Sequence, residues 1–469
     1  MKRFFAAVSV AILTLTGCAV QLEASEPETV VEQVVDYGLQ DAVIYEVNIR
    51  QFTPEGTFKA FQEHLPRIKE LGVEIIWLMP IHPISELNKK GSLGSPYSVA
   101  DYYGVNPEFG TEQDFRDLVA AVHELDMMII LDWVANHTGW DNPWIYSNPE
   151  WYTQDQDGNI VHPPGTDWTD VADLNFSNWE MRMAMIDAME YWVREFDIDG
   201  YRADVAHSVP VDFWNLASER LHEIKDVFML AEDGGDQALL KTAFDTNYAW
   251  PLKDLFNRLG KNLSDAGDFR RNVKSTATQY KDGKYQMVFI DNHDENTWHG
   301  TVFERLGQNV ANMAVISFTV PGMPLIYGGQ EIGVDRRLEF FEKDPIIWPE
   351  PFTNEWELFY KRLVELRIQN PALFSAGGGG LLKFLHLENT DVIAFARSVP
   401  ANEFREANDV IVIVNIAPES QIQTLELGDL AGDYFDWFSG EDLTLQATKT
   451  FEVPANSFQI LVKSNRSID

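Results

Sequence analysis

Three carboxylates stand at the ends of three separated apolar runs. Asp204 lies in DIDGYRADVAH, Glu232 in VFMLAED and Asp294 in MVFIDNHD. Each run has the character of a short buried strand that closes in acidic and polar residues. An acid at such a place is costly unless it is paired, hydrated or put to use. Three of them, each beside His, Arg or Asn, make an environment for developing positive charge. Cleavage of a glycosidic bond through an oxocarbenium-like transition state needs that environment. Arg202 and Asp204 are two apart on one strand, so they share a face, and the guanidinium favours the ionised acid. The other reading of that pair alone is a structural buried ion pair.

The elements that must position these acids alternate. Apolar runs at 42–52, 73–80, 127–137, 200–207, 227–232, 243–250, 287–294 and 323–329 read as strands. Between them, 58–71, 115–125, 181–196 and 213–224 carry helical spacing, as in Phe61, Leu65, Ile68 and Leu71. Repeated strand–helix units imply parallel pairing. Eight units between residues 41 and 376 predict an α/β fold, a (β/α)8 TIM barrel, with the strand ends and their acids on one rim. An open doubly wound sheet is the rival; it would need a Gly-rich phosphate turn, and no GxGxxG follows the first strand. Two regions break the alternation. Residues 138–175 are rich in Trp, Pro, Asn and Asp and form a short excursion after strand 3; a loop of that length is usually functional. From 377 to 469, after GGGG, short alternating strands predict a C-terminal antiparallel β-sandwich domain.

Composition narrows the partners. With 36 Lys plus Arg against 73 Asp plus Glu, the formal charge is −37, which disfavours nucleic acid and broad contact with anionic lipid. Fourteen Trp suit core packing first, and sugar stacking where they lie on loops. Met1-Lys2-Arg3, the apolar run Phe4 to Leu15, and then Leu15-Thr16-Gly17-Cys18 read as a secretory signal over 1–17. The tetrapeptide resembles the lipobox of bacterial lipoproteins, so Cys18 is the expected site of lipidation. Cys18 is the only cysteine, and no intrachain disulfide is possible. Residues 18–40 read as a tether to a barrel beginning at 41. The expected location is outside the cytoplasm, lipid-anchored to a bacterial membrane.

Five motifs, in order, resemble those of the α-amylase superfamily, glycoside hydrolase family 13: DWVANH (132–137), VADLN (171–175), GYRADVAH (200–207), LAED (230–233) and DNHD (291–294). The resemblance covers roughly residues 40 to 469. It implies Asp204 as nucleophile, Glu232 as general acid/base and Asp294 as transition-state stabiliser. It also implies substrate contacts from Tyr97, His137, Arg202, His207 and His293, with Asp101 supporting the Tyr97 loop. It further implies a Ca2+ ion between barrel and excursion, held by side chains at Asn136 and Asp173; the acidic loop of a second calcium site is absent, RQFTPEGTF standing there. No organic cofactor is implied. The chain departs from typical α-amylases after the nucleophile, with His207 and Ser208 where Lys and His are usual. DVAH leans instead toward maltogenic and neopullulanase relatives. The expected activity is retaining hydrolysis of α-1,4 bonds in starch-like glucans or maltooligosaccharides. The alternatives are an α-1,6-active or transglycosylating relative and a non-catalytic glucan-binding lipoprotein.

Overall fold

The computed structural model describes residues 38–463, apart from 281–282, 351–353, 387–388 and 404. The signal, Cys18 and the tether as far as residue 37 lie outside the described residues. The described residues belong to one compact unit.

Eight parallel strands close into a barrel. They are β1 (Ile44–Val47), β2 (Ile75–Leu78), β3 (Met128–Trp133), β4 (Gly200–Ala203), β5 (Phe228–Ala231), β6 (Thr246–Tyr248), β7 (Tyr285–Val288) and β8 (Met323–Tyr327). Each pairs with its neighbours in sequence, and β8 returns to β1 with Ile44 opposite Leu325. Every predicted strand is present, but the first is shorter than its apolar run. Ile49–Phe52 forms a helical turn, because the chain leaves the sheet after Val47 to cover the barrel end. The helix expected over 58–71 is two, Phe58–Gln62 and Leu65–Leu71. Pro66 suits the first turn of the second helix, where its missing N–H is no loss.

Alternation along the strands sorts the core. Ile44, Ile75, Trp77, Ile130, Leu230 and Leu325 fill the barrel interior, while Ile76, Leu78, Ile129, Leu131 and Tyr201 face the surrounding helices. The same period of two puts Asp132 with Ile130 and Arg202 with Asp204, aimed inward at the upper end.

The excursion contains a small antiparallel ribbon, His137–Gly139 against Val171–Asp173. Beyond the barrel come β9 (Leu381–Phe384), β10 (Val392–Val399), β11 (Asn408–Asn415), β12 (Gln421–Glu426), β13 (Gly432–Asp436), β14 (Asp442–Leu445), β15 (Thr448–Val453) and β16 (Ser457–Lys463). Six form a sheet in the order β9-β10-β11-β16-β13-β14, and β12 pairs with β15. Both faces of the larger sheet are buried at its central strands β10 and β11. Ile411 and Ile413 meet Leu425 and Phe451 of the smaller sheet, while Val410, Val412 and Val414 turn toward the barrel's helical layer. Helix Val310–Thr319 is buried throughout, which explains its nearly uniform apolar sequence. The apolar runs of this region mark β9 to β12 but not β13 and β14, and 451–463 reads as one run where the structure has β15 and β16. A turn through Asn456, at φ 47°, separates the last two.

Candidate active site

The barrel's upper end is built around one guanidinium. Arg202, on β4, has no exposed side-chain surface. Its Nη1 lies 2.8 Å from Asp132 Oδ1 and 3.1 Å from Asp204 Oδ1, and its Nη2 lies 3.0 Å from Glu232 Oε2. Nε donates to Tyr248 Oη at 3.0 Å. Register makes the cluster: Asp132 of β3 is directly opposite Arg202, and Leu230, two residues before Glu232, is opposite it on β5. Gly200 permits the close approach of β4 and β5. A Cβ there would stand 1.9 Å from the Phe228 carbonyl oxygen, and the residue's φ is 145°. Arg202 was expected to touch substrate. It is sealed beneath the carboxylates instead, and acts on them rather than on a sugar.

Asp204, Glu232 and Asp294 all line one cleft of about 550 Å³, with Tyr97, His137 and His293. Asp204 and Glu232 sit on neighbouring nitrogens of the same guanidinium. Close approach of that kind is what double displacement requires, with carboxyls about 5 to 5.5 Å apart. Val205, next in sequence to Asp204, donates its N–H to Glu232 Oε2 at 2.7 Å. It does so from φ 37° and ψ 46°, a left-handed conformation that a β-branched residue rarely adopts. Strain of this kind persists where the surroundings over-determine it, and here it fixes an amide on the Glu232 carboxyl.

The two histidines differ in charge. Burial holds His137 near 4, so its ring is neutral at ordinary pH. Asn136 Nδ2 donates to its Nδ1 at 3.2 Å. For His293 burial again opposes charge, but Asp294 and then Glu46 outweigh it and lift the ring to about 9. Its Nδ1 donates to Glu46 Oε1 at 2.5 Å, and its Nε2 donates to Tyr97 Oη at 2.9 Å. Tyr97 Oη donates onward to Asp132 Oδ2 at 3.0 Å. A chain of polar contacts thus runs from Glu46 on β1 through His293 and Tyr97 to the Arg202 cluster. The Tyr97 ring lies nearly parallel to Phe340, 8° between planes at 6.1 Å.

The acids outnumber the cations that face them. Burial, then Glu232, pushes the Asp204 carboxyl well above the usual range, with Arg202 pulling it down. Burial likewise raises Asp132 and Glu46. The cluster is therefore short of positive charge, and a sugar acquiring positive charge at its anomeric carbon would supply it.

His207 stands apart from the central group, exposed on the turn Ala206–Ser208, its Nδ1 3.5 Å from the Glu232 carbonyl oxygen. Asp101 is exposed, and its Oδ1 accepts from Tyr103 N–H, which is turn formation. Asn136 engages His137, and Asp173, raised by burial, takes a hydrogen bond from Thr153. Among the described residues no three His, Cys, Asp or Glu converge as metal ligands. Ca2+ takes six to eight oxygens, so the Asn136 and Asp173 side chains do not by themselves fit that ion.

Two members of the cluster, Asp132 and Glu46, were not anticipated as site residues. Both carried the same signal as the three predicted acids, a carboxylate inside an apolar strand run. Trp298, in the helical turn Glu295–His299, and Phe340, Lys90 and Trp168, in loops, also line the cleft and gave no such signal.

The family model for the α-amylase catalytic domain matches residues 24–348. The chain belongs to the α-amylase family. It is a glycoside hydrolase of that type. A maltogenic α-amylase from Thermotoga neapolitana has a similar structure, with a TM-score of 0.81 at 28% identity, over 91% of this chain and 100% of that one. An α-amylase from Lactobacillus plantarum superposes with a TM-score of 0.79 at 28% identity, over 91% and 99%. The maltogenic α-amylase of Bacillus acidopullulyticus is 27% identical over 432 residues, 87% of this chain and 70% of its own length. These likenesses span the C-terminal sheet of the α-amylase chain as well as its barrel.

Proposed function

We propose that the enzyme hydrolyses α-1,4-glucosidic bonds of starch-like glucans or maltooligosaccharides with retention of configuration. The observation that carries this reading is the cluster of Asp132, Asp204 and Glu232 on one buried guanidinium, with Asp294 in the same cleft. Asp204 attacks the anomeric carbon as the bond to the leaving oxygen breaks, and Glu232 gives that oxygen its proton. Glu232 then takes a proton from water, the water oxygen bonds to the anomeric carbon, and Asp204 is released. Asp294 faces the same centre and, with the other acids, stabilises the positive charge that peaks between the two states. His137 offers a neutral ring to the sugar hydroxyls. His293 offers a charged one, braced by Glu46. The exposed face of Tyr97 suits an apolar pyranose face.

The test is a timed product profile on maltoheptaose. Shorter maltooligosaccharides support hydrolysis, products longer than the substrate point to transfer, and no change sinks the α-1,4 assignment. Asp204→Asn must abolish sugar release while leaving retention on a glucan affinity gel intact. Retention without turnover by the wild type would favour a binding protein. The N-terminal sequence supports a further proposal, export and lipidation at Cys18. Cys18→Ser should move the enzyme from the membrane fraction to the soluble fraction; unchanged partitioning would refute it.

A further inference from the structure

The rim of the cleft is continuous on one side. Trp298, after β7, packs against Phe340 and Phe341 of the loop after β8, at 5.3 and 6.0 Å between ring centroids. That loop is tied to the loop after β2. Leu93 N–H donates to the Phe341 carbonyl at 3.1 Å, and Ser92 N–H donates to Glu342 Oε1 at 2.7 Å, with Ser92 Oγ on the other carboxylate oxygen. The seam at Gly91 is tight, since a Cβ there would meet Phe341 Cβ at 2.4 Å. The β2 loop is in turn tied to the excursion. Lys90 Nζ donates to the Asp167 carbonyl at 3.0 Å and pairs with Asp170 Oδ1 at 3.1 Å. Trp168 then stands beside His137, 5.6 Å between rings. Trp298, Phe341, Lys90 and Trp168 all line the cavity, so this is the wall of the site itself.

The opposite rim is of another kind. It is carried by the turn Ala206–Ser208 after β4 and the residues after Glu232. His207 and Ser208 are exposed there, and His207 reaches the neighbouring loop rather than across the cleft. A Cβ on Gly235 would meet open space.

The chemistry gives this asymmetry a direction. Glu232 delivers its proton to the leaving oxygen, so the leaving chain departs on the open side. The glycosyl unit under attack lies against Tyr97 and His293, on the walled side. In an α-1,4-glucan the anomeric carbon of each unit faces the reducing end. Units beyond the attacked one therefore lead toward the non-reducing end and into the wall. We infer that the cavity is a one-ended pocket in which the bridge through Lys90 and Ser92 stops the non-reducing terminus. The enzyme then trims α-glucans from that end instead of cutting within the chain. This inference rests on the hydrolase reading above.

The test compares maltoheptaose with the same oligosaccharide carrying a bulky acetal on O4 and O6 of its non-reducing unit, products being resolved by mass spectrometry. Short, uniform products from the free substrate and at least tenfold slower cleavage of the blocked one are expected. Comparable rates with products of mixed length would overturn the inference. Cleavage of neither would overturn the hydrolase reading instead. The double variant Lys90→Met with Glu342→Ala removes the side-chain ties of the bridge and leaves the Leu93–Phe341 backbone bond, and it should raise cleavage of the blocked substrate relative to the free one at least fivefold and lengthen the products. Lys90→Arg, which keeps the charge, should retain wild-type selectivity. Continued refusal of the blocked substrate by a folded double variant would overturn the assignment of the stop to this bridge.

Discussion

Arg202→Met removes the cation at the centre of the site while keeping a side chain of similar reach. Three carboxylate contacts of 2.8 to 3.1 Å and the bond to Tyr248 are lost together. Removing one partner from a buried ionic network costs about 3–5 kcal/mol at neutral pH. Activity suffers separately. Burial and Glu232 already raise Asp204, and Arg202 is what opposes them. Without the guanidinium the carboxyl moves further toward the neutral form, which cannot attack. That loss of ionised nucleophile, with a misplaced carboxylate, should lower kcat/KM at pH 7 by about 10³, roughly 4 kcal/mol. The sign with pH follows. An acid whose folded pKa is raised above its unfolded value disfavours the fold as pH rises through that range. The variant's deficit in thermal stability should thus be smaller near pH 4 and larger near pH 7.5, and the acid limb of its rate profile should move upward. Calorimetry at the two pH values and kcat/KM on maltoheptaose give both readouts. Activity within tenfold of wild type, with a deficit independent of pH, would refute this account of Arg202.

The remaining expectations concern its neighbours. Glu46→Gln keeps an oxygen for the His293 N–H but withdraws the charge beside it; the ring is raised from 6.5 to about 9, so the stability this pairing contributes is full below about 6.5 and lost through about 9. Melting temperatures of wild type and Glu46→Gln should differ most near pH 6 and converge by pH 10, where His293 is neutral in both. Val205→Gly should relieve about 1 kcal/mol of backbone strain, partly offset by glycine's entropy, and lower kcat by loosening the amide on Glu232; calorimetry and rate measured on the same sample check both. Because the Asn136 and Asp173 side chains do not converge with other acids among the described residues, a chelator should leave the melting temperature within about 1 °C, the change that a loss of 1 kcal/mol brings in a chain of this length. A larger drop would reveal ligands that backbone oxygens complete.

Much of this was legible because buried parallel strands are near-continuous apolar runs, and an acid inside one stands out. Asp204, Glu232 and Asp294 were visible on that ground. Asp132 and Glu46 carried the same mark, but their meaning depends on register and on contacts far along the chain. Asp132 matters because it lies opposite Arg202, and Glu46 because it meets His293, 247 residues away. The pairing of Arg202 with Asp204 followed from their spacing, but its exclusion from the cleft turned on burial, which a motif does not disclose. The conformation of Val205 is imposed by its surroundings against the preference of its side chain. In the C-terminal region, β13 and β14 each bury a single residue, Tyr434 and Leu445, so their alternation is faint.

The seam between β1 and β8 has a bearing on how the protein is made. Ile44 emerges from the ribosome long before its partner Leu325, and the floor is tied later still, by Arg367 donating to the carbonyls of Gln40 and Asp41. Until then the growing chain presents two unsealed strand edges, at β1 and at whichever strand was added last. Such edges invite pairing with other chains. Contacts this distant in sequence also slow folding and lengthen the exposure. A chain cut after residue 348, where the catalytic-domain match ends, would have all eight strands but lack helix Glu355–Gln369 and the Arg367 that it carries. Its barrel would close without a floor and without the C-terminal sheet that covers helix Val310–Thr319. The shortest segment that folds cleanly is therefore set by this closure, and it runs well past the last strand of the barrel.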